Sequence, residues 1–286
     1  MVMSMLGVSF TINFTVDWEV RLKTWGGRFL NKLVGEVLEG AGVKVSHNEG
    51  KPFSISPVLD MNGRIANKLA PGSVYWFRAS FMCNAVDCDT VTSAFIRDSY
   101  KLSSGEVIRI LNVGFYEFEP NNSGANSRSI IEWSVTYYPT VFPFMHHYIL
   151  HPSPARFFAS TAKTLAQLLK GTEVVLDKDG ELIGGAINSI NTKDLIKDLV
   201  FNTELIDFKI NKLRISLGRG RSTLAFYGTA EYVTETENIS LFNTLLDIAE
   251  FFGVGKNKAL GFGFVKITQR NIKKPEIVRV PTTLRD

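Results

Sequence analysis

The segment GVGKNKALGFGF, residues 253–264, combines four glycines with two lysines. Glycine lets backbone N–H groups approach an anion closely and adopts positive φ angles without strain. Lys256 and Lys258 add positive charge without imposing a base sequence, which suits a sugar-phosphate backbone. The segment is therefore a candidate anion-binding loop. The simpler alternative is structural, with Gly253 ending a helix and the rest turning the chain into a strand.

Order and spacing exclude two familiar nucleotide-binding motifs. A Walker A loop needs G-x4-G-K-[ST] between a strand and a helix, whereas Lys256 is followed by Asn257 and lacks the upstream glycine. A dinucleotide fingerprint needs G-x-G-x-x-G at the start of a helix. Here Gly261 follows Gly255 by six residues, and the loop comes after a helix instead of opening one.

The first half of the chain must supply elements that position such a site, and its patterns predict a β-α-β-β-α-β order. Periodicities of two and of three to four residues place these elements at strand 6–16, helix 24–39, strands 53–59 and 73–82, helix 89–100 and strand 106–118. Asp89 is the expected N-cap of the second helix. The polar run at residues 120–127 predicts a domain boundary.

The second half repeats this order. The predicted elements are strand 130–142, helix 153–171, an insertion at 172–204 with a short helix from Thr192, strands 204–217 and 221–233, helix 240–252, and a strand from Gly263. Ser153 and Ser240 are the expected N-caps of the two long helices. A phase change in the apolar pattern predicts a bulge at Asn211–Lys212.

The repeated order predicts an α+β protein with two tandem ferredoxin-like (RRM-like) domains. The first spans residues 1–122, and the second spans 128–286 with the insertion and a glycine-rich loop at 253–263. The aromatic motif of RNA-binding sheet surfaces is not evident. The groove between the domains is therefore the better candidate for a ligand site.

Composition favours a folded protein with room for a polyanionic partner. The chain has 286 residues, 45% of them hydrophobic, and a formal charge of +4, so any nucleic-acid site must be a local patch. Cys83 and Cys88 are expected to be free thiols. The N-terminal residues do not resemble a signal peptide, and no apolar run reaches membrane-spanning length, so we expect a cytoplasmic protein.

At the glycine segment the sequence resembles a known superfamily. A hydrophobic helix, then G-h-G-x5-G-h-G without a gap at residues 253–263, then a strand, is similar to the glycine-rich loop of the repeat-associated RNA-binding (RAMP) proteins. With two ferredoxin-like domains, the chain resembles the CRISPR repeat-processing endoribonucleases of that superfamily. The segment YYPTVF, residues 137–142, also resembles the strand that opens their second domain. The resemblance implies metal-independent cutting of precursor CRISPR RNA by 2′-OH attack, which leaves a 2′,3′-cyclic phosphate and a 5′-OH.

Such cleavage needs a base for the 2′-OH, an acid for the 5′-oxygen and stabilisation of the phosphorane. In the resembling family a histidine after the first helix is followed by a lysine and an aromatic residue. His47, Lys51 and Phe53 match this arrangement in HNEGKPF. The resemblance therefore implies acid–base catalysis by His47 and charge stabilisation by Lys51. The surface-loop alternative for His47 stays open.

Some family members carry a tyrosine on the first helix, where this sequence has Leu30. Arg28 and Lys32 share one face of that helix. We expect Lys32 to be a replacement catalytic cation and Arg28 to contact phosphate, unless both belong to a solvated face. The predicted RNA-binding residues are Arg28, Arg219, Arg221, Gly253, Gly255, Lys256, Lys258, Gly261 and Gly263.

No metal or other cofactor is expected, because the cluster His146, His147 and His151 lacks a nearby carboxylate ligand. The expected partner is CRISPR repeat RNA, and candidate protein partners are other subunits of a CRISPR interference complex or a second copy of the chain. Two alternatives stay open. One is a non-catalytic RAMP subunit that binds guide RNA, and the other is an unrelated α+β protein with a chance glycine loop.

Overall fold

The structure is a computed structural model that describes residues 5–22, 25–43, 51–118, 128–170, 174–176, 182–184 and 192–273. The elements of its first part are β1 (Gly7–Val16), β2 (Val20–Arg21), α1 (Gly26–Gly40), β3 (Phe53–Ile55), β4 (Leu59–Asp60), β5 (Lys68–Leu69), β6 (Tyr75–Met82), α2 (Cys88–Phe95), β7 (Ser99–Lys101) and β8 (Val107–Phe118). The predicted boundary at 120–127 lies outside the described residues. Within the described part of the chain, no helix is long and apolar enough to cross a membrane.

The first sheet has the order β3-β6-β1-β8-β7, with β4 also paired to β6. The four main strands thus lie in the order second, third, first, fourth, and the pairs β3–β6, β6–β1 and β1–β8 are all antiparallel. The alternation in β1 has the predicted effect, because Phe10, Ile12 and Phe14 are fully buried and lie in one core cluster with Leu33 and Val34 of α1.

The second part contains β9 (Ser129–Thr140), β10 (Phe142–Phe144), β11 (His147–Ile149), α3 (Pro154–Leu169), β12 (Val174–Leu176), β13 (Leu182–Gly184), α4 (Thr192–Phe201), β14 (Thr203–Gly218), β15 (Arg221–Thr236), α5 (Ile239–Phe252), a 3-10 turn (Lys258–Leu260) and β16 (Val265–Lys273). Its sheet order, β14-β15-β9-β16, repeats that of the first sheet. The tandem ferredoxin-like prediction is therefore confirmed. Trp133 and Tyr232, with ring centroids 4.3 Å apart, lie in the second core.

Three predicted helix boundaries were wrong for local reasons. Asp87, not Asp89, caps α2 and accepts a hydrogen bond from the Asp89 backbone. This helix ends at Phe95, and Tyr100 belongs instead to β7, where it pairs with Ile108 of β8 and its hydroxyl donates to the Phe95 carbonyl. Asn238, not Ser240, caps α5 by accepting the Leu241 N–H. The Ser153 N-cap and the helix from Thr192 are as predicted.

The bulge predicted at Asn211–Lys212 is also displaced. These two residues pair regularly with β15, and the register of β14 shifts instead at 205–207 and 216–218. The facing irregularity lies in β15, whose register with β9 shifts between Phe226 and Gly228. A Cβ at Gly228 would lie 2.1 Å from the Lys209 carbonyl oxygen, so the close approach of the two strands requires glycine.

The prediction of two free thiols is wrong in this structure, which joins Cys83 and Cys88 in a disulfide. The turn between β6 and α2 brings their Cα atoms to 5.3 Å, a separation that a disulfide spans. Within this small ring, the Asn84 amide donates to the carbonyls of Gln167 and Lys170 at the end of α3. The disulfide thus closes a loop that contacts the second domain.

Candidate nucleic-acid interface

The glycine-rich loop, residues 253–263, closes on itself at its two ends. The Val254 N–H donates to the Gly263 carbonyl over 2.8 Å. A Cβ at Gly263, which has φ 75°, would lie 1.7 Å from the Val254 carbonyl oxygen. A side chain there would hold the two ends of the loop apart, so glycine is needed for this closure.

Several backbone N–H groups of the loop donate hydrogen bonds to acceptors elsewhere in the protein. Gly255 donates to Ser160 Oγ over 2.6 Å, and Lys256 donates to the Val141 carbonyl over 2.9 Å. Gly263 donates to the Pro139 carbonyl. Gly253, Gly261 and Gly263 are buried, whereas the side chain of Lys256 is exposed. The glycines therefore shape the loop, and these N–H groups have acceptors within the protein.

The loop also fastens the two domains together. Trp25 Nε1 donates to the Leu260 carbonyl over 2.5 Å, and Asn31 Nδ2 donates to the Ala259 carbonyl over 2.7 Å. A Cβ at Gly27 would lie 1.9 Å from the Leu260 carbonyl oxygen. The N-terminal end of α1 and the loop of the second domain therefore meet in backbone contact, which Gly27 permits.

A cleft of about 460 Å³ opens between the domains beside this contact. Its walls come from α1, the start of β3, α3 and the glycine-rich loop, and they carry Lys51, Lys163, Lys256 and Lys258. No aspartate or glutamate is among the described residues that line it. Four positive charges without an acidic neighbour in the wall make this cleft an anion-binding candidate.

The pKa values of Lys51 and Lys258 are both lowered by burial. Burial lowers the pKa of Lys51, whose ammonium nitrogen lies 5.4 Å from the centroid of the Phe53 ring. Burial and, to a smaller extent, the charge of Lys163 lower the pKa of Lys258 to about 8. The Lys258 ammonium donates to Thr164 Oγ1 on α3 over 2.6 Å.

Of the predicted catalytic residues, the structure describes Lys51 and Lys32, which line different grooves. His47 lies outside the described residues, so its distance to Lys51 is not defined. Lys32 lines a second groove of about 490 Å³ along α1, where its ammonium donates to Ser104 Oγ and lies 3.7 Å from a Glu36 carboxylate oxygen. Asn31, which was not predicted as a site residue, is the α1 side chain in the wall of the Lys51 cleft.

The predicted RNA-binding arginines lie along the second groove and at the neighbouring hairpin. Arg28 lines that groove and donates through Nη1 to the Leu217 carbonyl of β14. The backbone N–H of Trp25 donates to the Ser216 carbonyl, so the β14–β15 hairpin contacts the start of α1. Arg219 and Arg221, at the tip of this hairpin, are exposed.

The sequence did not predict that α3 forms one wall of the cleft. Ser160, Lys163, Thr164 and Gln167 line it from α3. Their spacing of three and four residues places them on one helix face, and this polar stripe was the available signal. His146 and His147 lie at the β10–β11 turn, and no group of three or more His, Cys, Asp or Glu in the described part is arranged to hold a metal ion.

Sequence and structure comparisons both find similarity to Cas6 proteins. Residues 136–265 match the family model of the CRISPR-associated endoribonuclease Cas6. No curated protein matches the chain significantly. A Cas6 (TTHB231) product complex covers 93% of this chain and 100% of its own, with a TM-score of 0.63 and 14% identity. A Cas6 (TTHA0078) product complex covers 92% of this chain and 100% of its own, with a TM-score of 0.61 and 16% identity.

A further structure, Thermus thermophilus Cas6 (TTHB231), covers 93% of this chain and 99% of its own, with a TM-score of 0.59 and 15% identity. At these identities the structural matches show the fold, and the family match covers residues 136–265, which include the glycine-rich loop. Residues 136–265 thus match the family model of the CRISPR-associated endoribonuclease Cas6 in sequence, and the chain shares the fold of the Cas6 structures.

Proposed function

We propose that the chain is an endoribonuclease that cuts precursor CRISPR RNA within its repeats and holds the RNA in the interdomain cleft. The observation that carries this proposal is the cleft itself, with four lysines and no acidic residue among its described walls. A sugar-phosphate backbone is the polyanion that such a surface suits. The Cas6 family match over residues 136–265 supplies the reaction class.

The proposed reaction proceeds without a metal ion. His47 acts as general base or acid, and Lys51 stabilises the negative charge of the phosphorane as the 2′-oxygen attacks and the 5′-oxygen leaves. The products are a 2′,3′-cyclic phosphate and a 5′-OH. The position of Lys51 in the cleft wall supports its part in this scheme.

The remaining basic residues are proposed to bind the RNA outside the reaction centre. Lys32 has hydrogen-bonding and ionic partners in the second groove, beside Arg28, so RNA contact suits it better than a catalytic role. Arg219 and Arg221 are exposed on the hairpin that touches α1. Lys256 is exposed at the mouth of the cleft. Together these residues would bind the RNA strand outside the cleavage site.

The test is cleavage of an end-labelled repeat RNA in EDTA. We expect a single cut that yields a cyclic phosphate, and a rate about 10²–10⁴-fold lower for His47→Ala. Lys51→Met should lower the rate, whereas Lys256→Met should mainly weaken binding, because that side chain is exposed. Tight repeat binding without any cut would instead favour the non-catalytic RAMP subunit.

A further inference from the structure

Three side chains on the second-domain side of the cleft form a compact polar group. Lys258 reaches from the 3-10 turn to Thr164 on α3, and Lys163 precedes Thr164 on the same helix. The Thr164 residue is buried and Lys258 is half-buried, whereas Lys163 is exposed to the cleft. An ammonium has three N–H donors, and Thr164 Oγ1 accepts one of those of Lys258.

This arrangement is electrostatically incomplete. A buried ammonium normally has an acidic partner, whereas here the charge that acts on Lys258 is that of another lysine, Lys163. The walls of the cleft, so far as they are described, offer no carboxylate to balance the pair. An uncharged side chain of similar length would fill the same space without this penalty, so the lysine suits a ligand that brings negative charge.

We propose that Lys258, Thr164 and Lys163 form a subsite for one backbone phosphate of the RNA, on the side of the cleft formed by the second domain. Phosphate oxygens would accept hydrogen bonds from both ammonium groups, while the Thr164 hydroxyl, which donates to the Ser160 carbonyl, positions Lys258 by accepting from it. Lys51 and Asn31 line the same cleft from the first domain. The subsite would thus hold the strand across the cleft at a fixed phosphate, a positioning role that is distinct from acid–base catalysis. The identity of the ligand as RNA rests on the proposed function.

The subsite couples RNA binding to proton uptake. With a pKa of about 8, Lys258 is partly neutral in the free protein at mildly alkaline pH. A bound phosphate favours the charged form and raises that pKa, so binding takes up a proton. The other charged side chains of the described walls are Lys51, Lys163 and Lys256. All three are present in wild type and in the Lys258 variants, so a difference between these proteins arises from the replacement of Lys258.

The experiment measures the dissociation constant of a repeat RNA that carries 2′-O-methyl groups throughout and therefore has no attacking hydroxyl. Between pH 7 and 9.5 at constant salt, wild type should weaken by about 30-fold, as expected for one group with a pKa near 8. Lys258→Arg should bind as tightly as wild type at pH 7 and lose this pH dependence, because arginine keeps its proton.

Two further variants sharpen the result. Lys258→Met should bind about 30-fold more weakly than wild type at pH 7 and approach it near pH 9.5. Lys163→Gln removes the like charge and should move the midpoint of the pH dependence upward. Each variant is first checked for wild-type secondary structure, and Lys256→Met controls for the loss of one exposed positive charge.

The outcomes separate this subsite from the proposed activity. An equal pH dependence in wild type and Lys258→Arg, or unaltered binding by Lys258→Met at pH 7, overturns the subsite even if the enzyme cuts its repeat. The expected pattern in a protein that cuts nothing supports the subsite and rejects the endoribonuclease. A complete lack of RNA binding contradicts both.

Discussion

Replacement of Lys258 by methionine tests whether the protein keeps a charge at the expense of its own stability. The ammonium lies beside Thr164 and Lys163 in a cleft whose described walls contain no acid. Methionine has a similar length and no charge, so the variant keeps most of the packing and removes the unfavourable ion. We expect Lys258→Met to be more stable than wild type at pH 7.

The pKa sets the size and sign of this effect. A change from 10.5 in the unfolded chain to about 8 in the folded protein corresponds to about 3 kcal/mol. Below pH 8 both states of wild type are charged and the full penalty is present. Between about pH 8 and 10.5 the folded state has lost the proton that the unfolded state retains, so the stability of wild type rises with pH. Loss of the hydrogen bond to Thr164 opposes the gain by about 1 kcal/mol.

Urea unfolding at pH 7 and at pH 10 measures the difference. The variant should exceed wild type by about 2 kcal/mol at pH 7, and the gap should close as wild type loses its proton. Lys256→Met, an exposed substitution in the same loop, should change stability little at either pH. A variant that is less stable than wild type at pH 7, or a gap that does not depend on pH, would refute the reasoning and make Lys258 a structural link between the loop and α3.

Three further experiments test local features of the fold. Gly27→Ala should lower the free energy of unfolding by at least about 2 kcal/mol, because its Cβ would meet a loop carbonyl at 1.9 Å. Gly35→Ala on the same helix has free space and should raise the free energy of unfolding by about 0.5–1 kcal/mol. Urea titration of both variants measures the difference. Asn238→Ala should cost about 1 kcal/mol as a lost N-cap, while Ser240→Ala should be neutral, because the Ser240 hydroxyl has no partner in the described structure; thermal unfolding of the pair separates the two assignments. Cys88→Ser should lower stability by about 2 kcal/mol, and wild type treated with dithiothreitol should fall to the same value, whereas insensitivity to the reductant would contradict the disulfide.

The regular elements could be predicted because their signals are local. Alternation in residues 6–16 specifies a strand with one buried face, and β1 has Phe10, Ile12 and Phe14 in the core. Ser153 followed by Pro154 starts α3 where the sequence indicates. Two repeats of the same element order then leave few ways to arrange four strands, and both sheets have the predicted topology.

The site was harder to predict because it depends on contacts between distant segments. Lys258 and Thr164 are 94 residues apart, and only the folded chain shows that they share a hydrogen bond. Lys32 and Asn31 are neighbours in sequence, yet only Asn31 lines the cleft with Lys51. Periodicity identifies the polar face of a helix, but it does not say which groove that face borders.

The shape of the glycine-rich loop determines the position of Lys258. Gly263 lets the ends of the loop close, and Gly27 lets the loop rest on α1. Because both contacts are backbone to backbone, they fix the position of the intervening 3-10 turn with little freedom. That turn carries Lys258 to Thr164, in the cleft that Lys51 also lines. The loop thus joins the domains and supplies a cation to the cleft at once, so glycine substitutions should weaken anion binding by displacing Lys258, even though the glycine N–H groups are bonded within the protein.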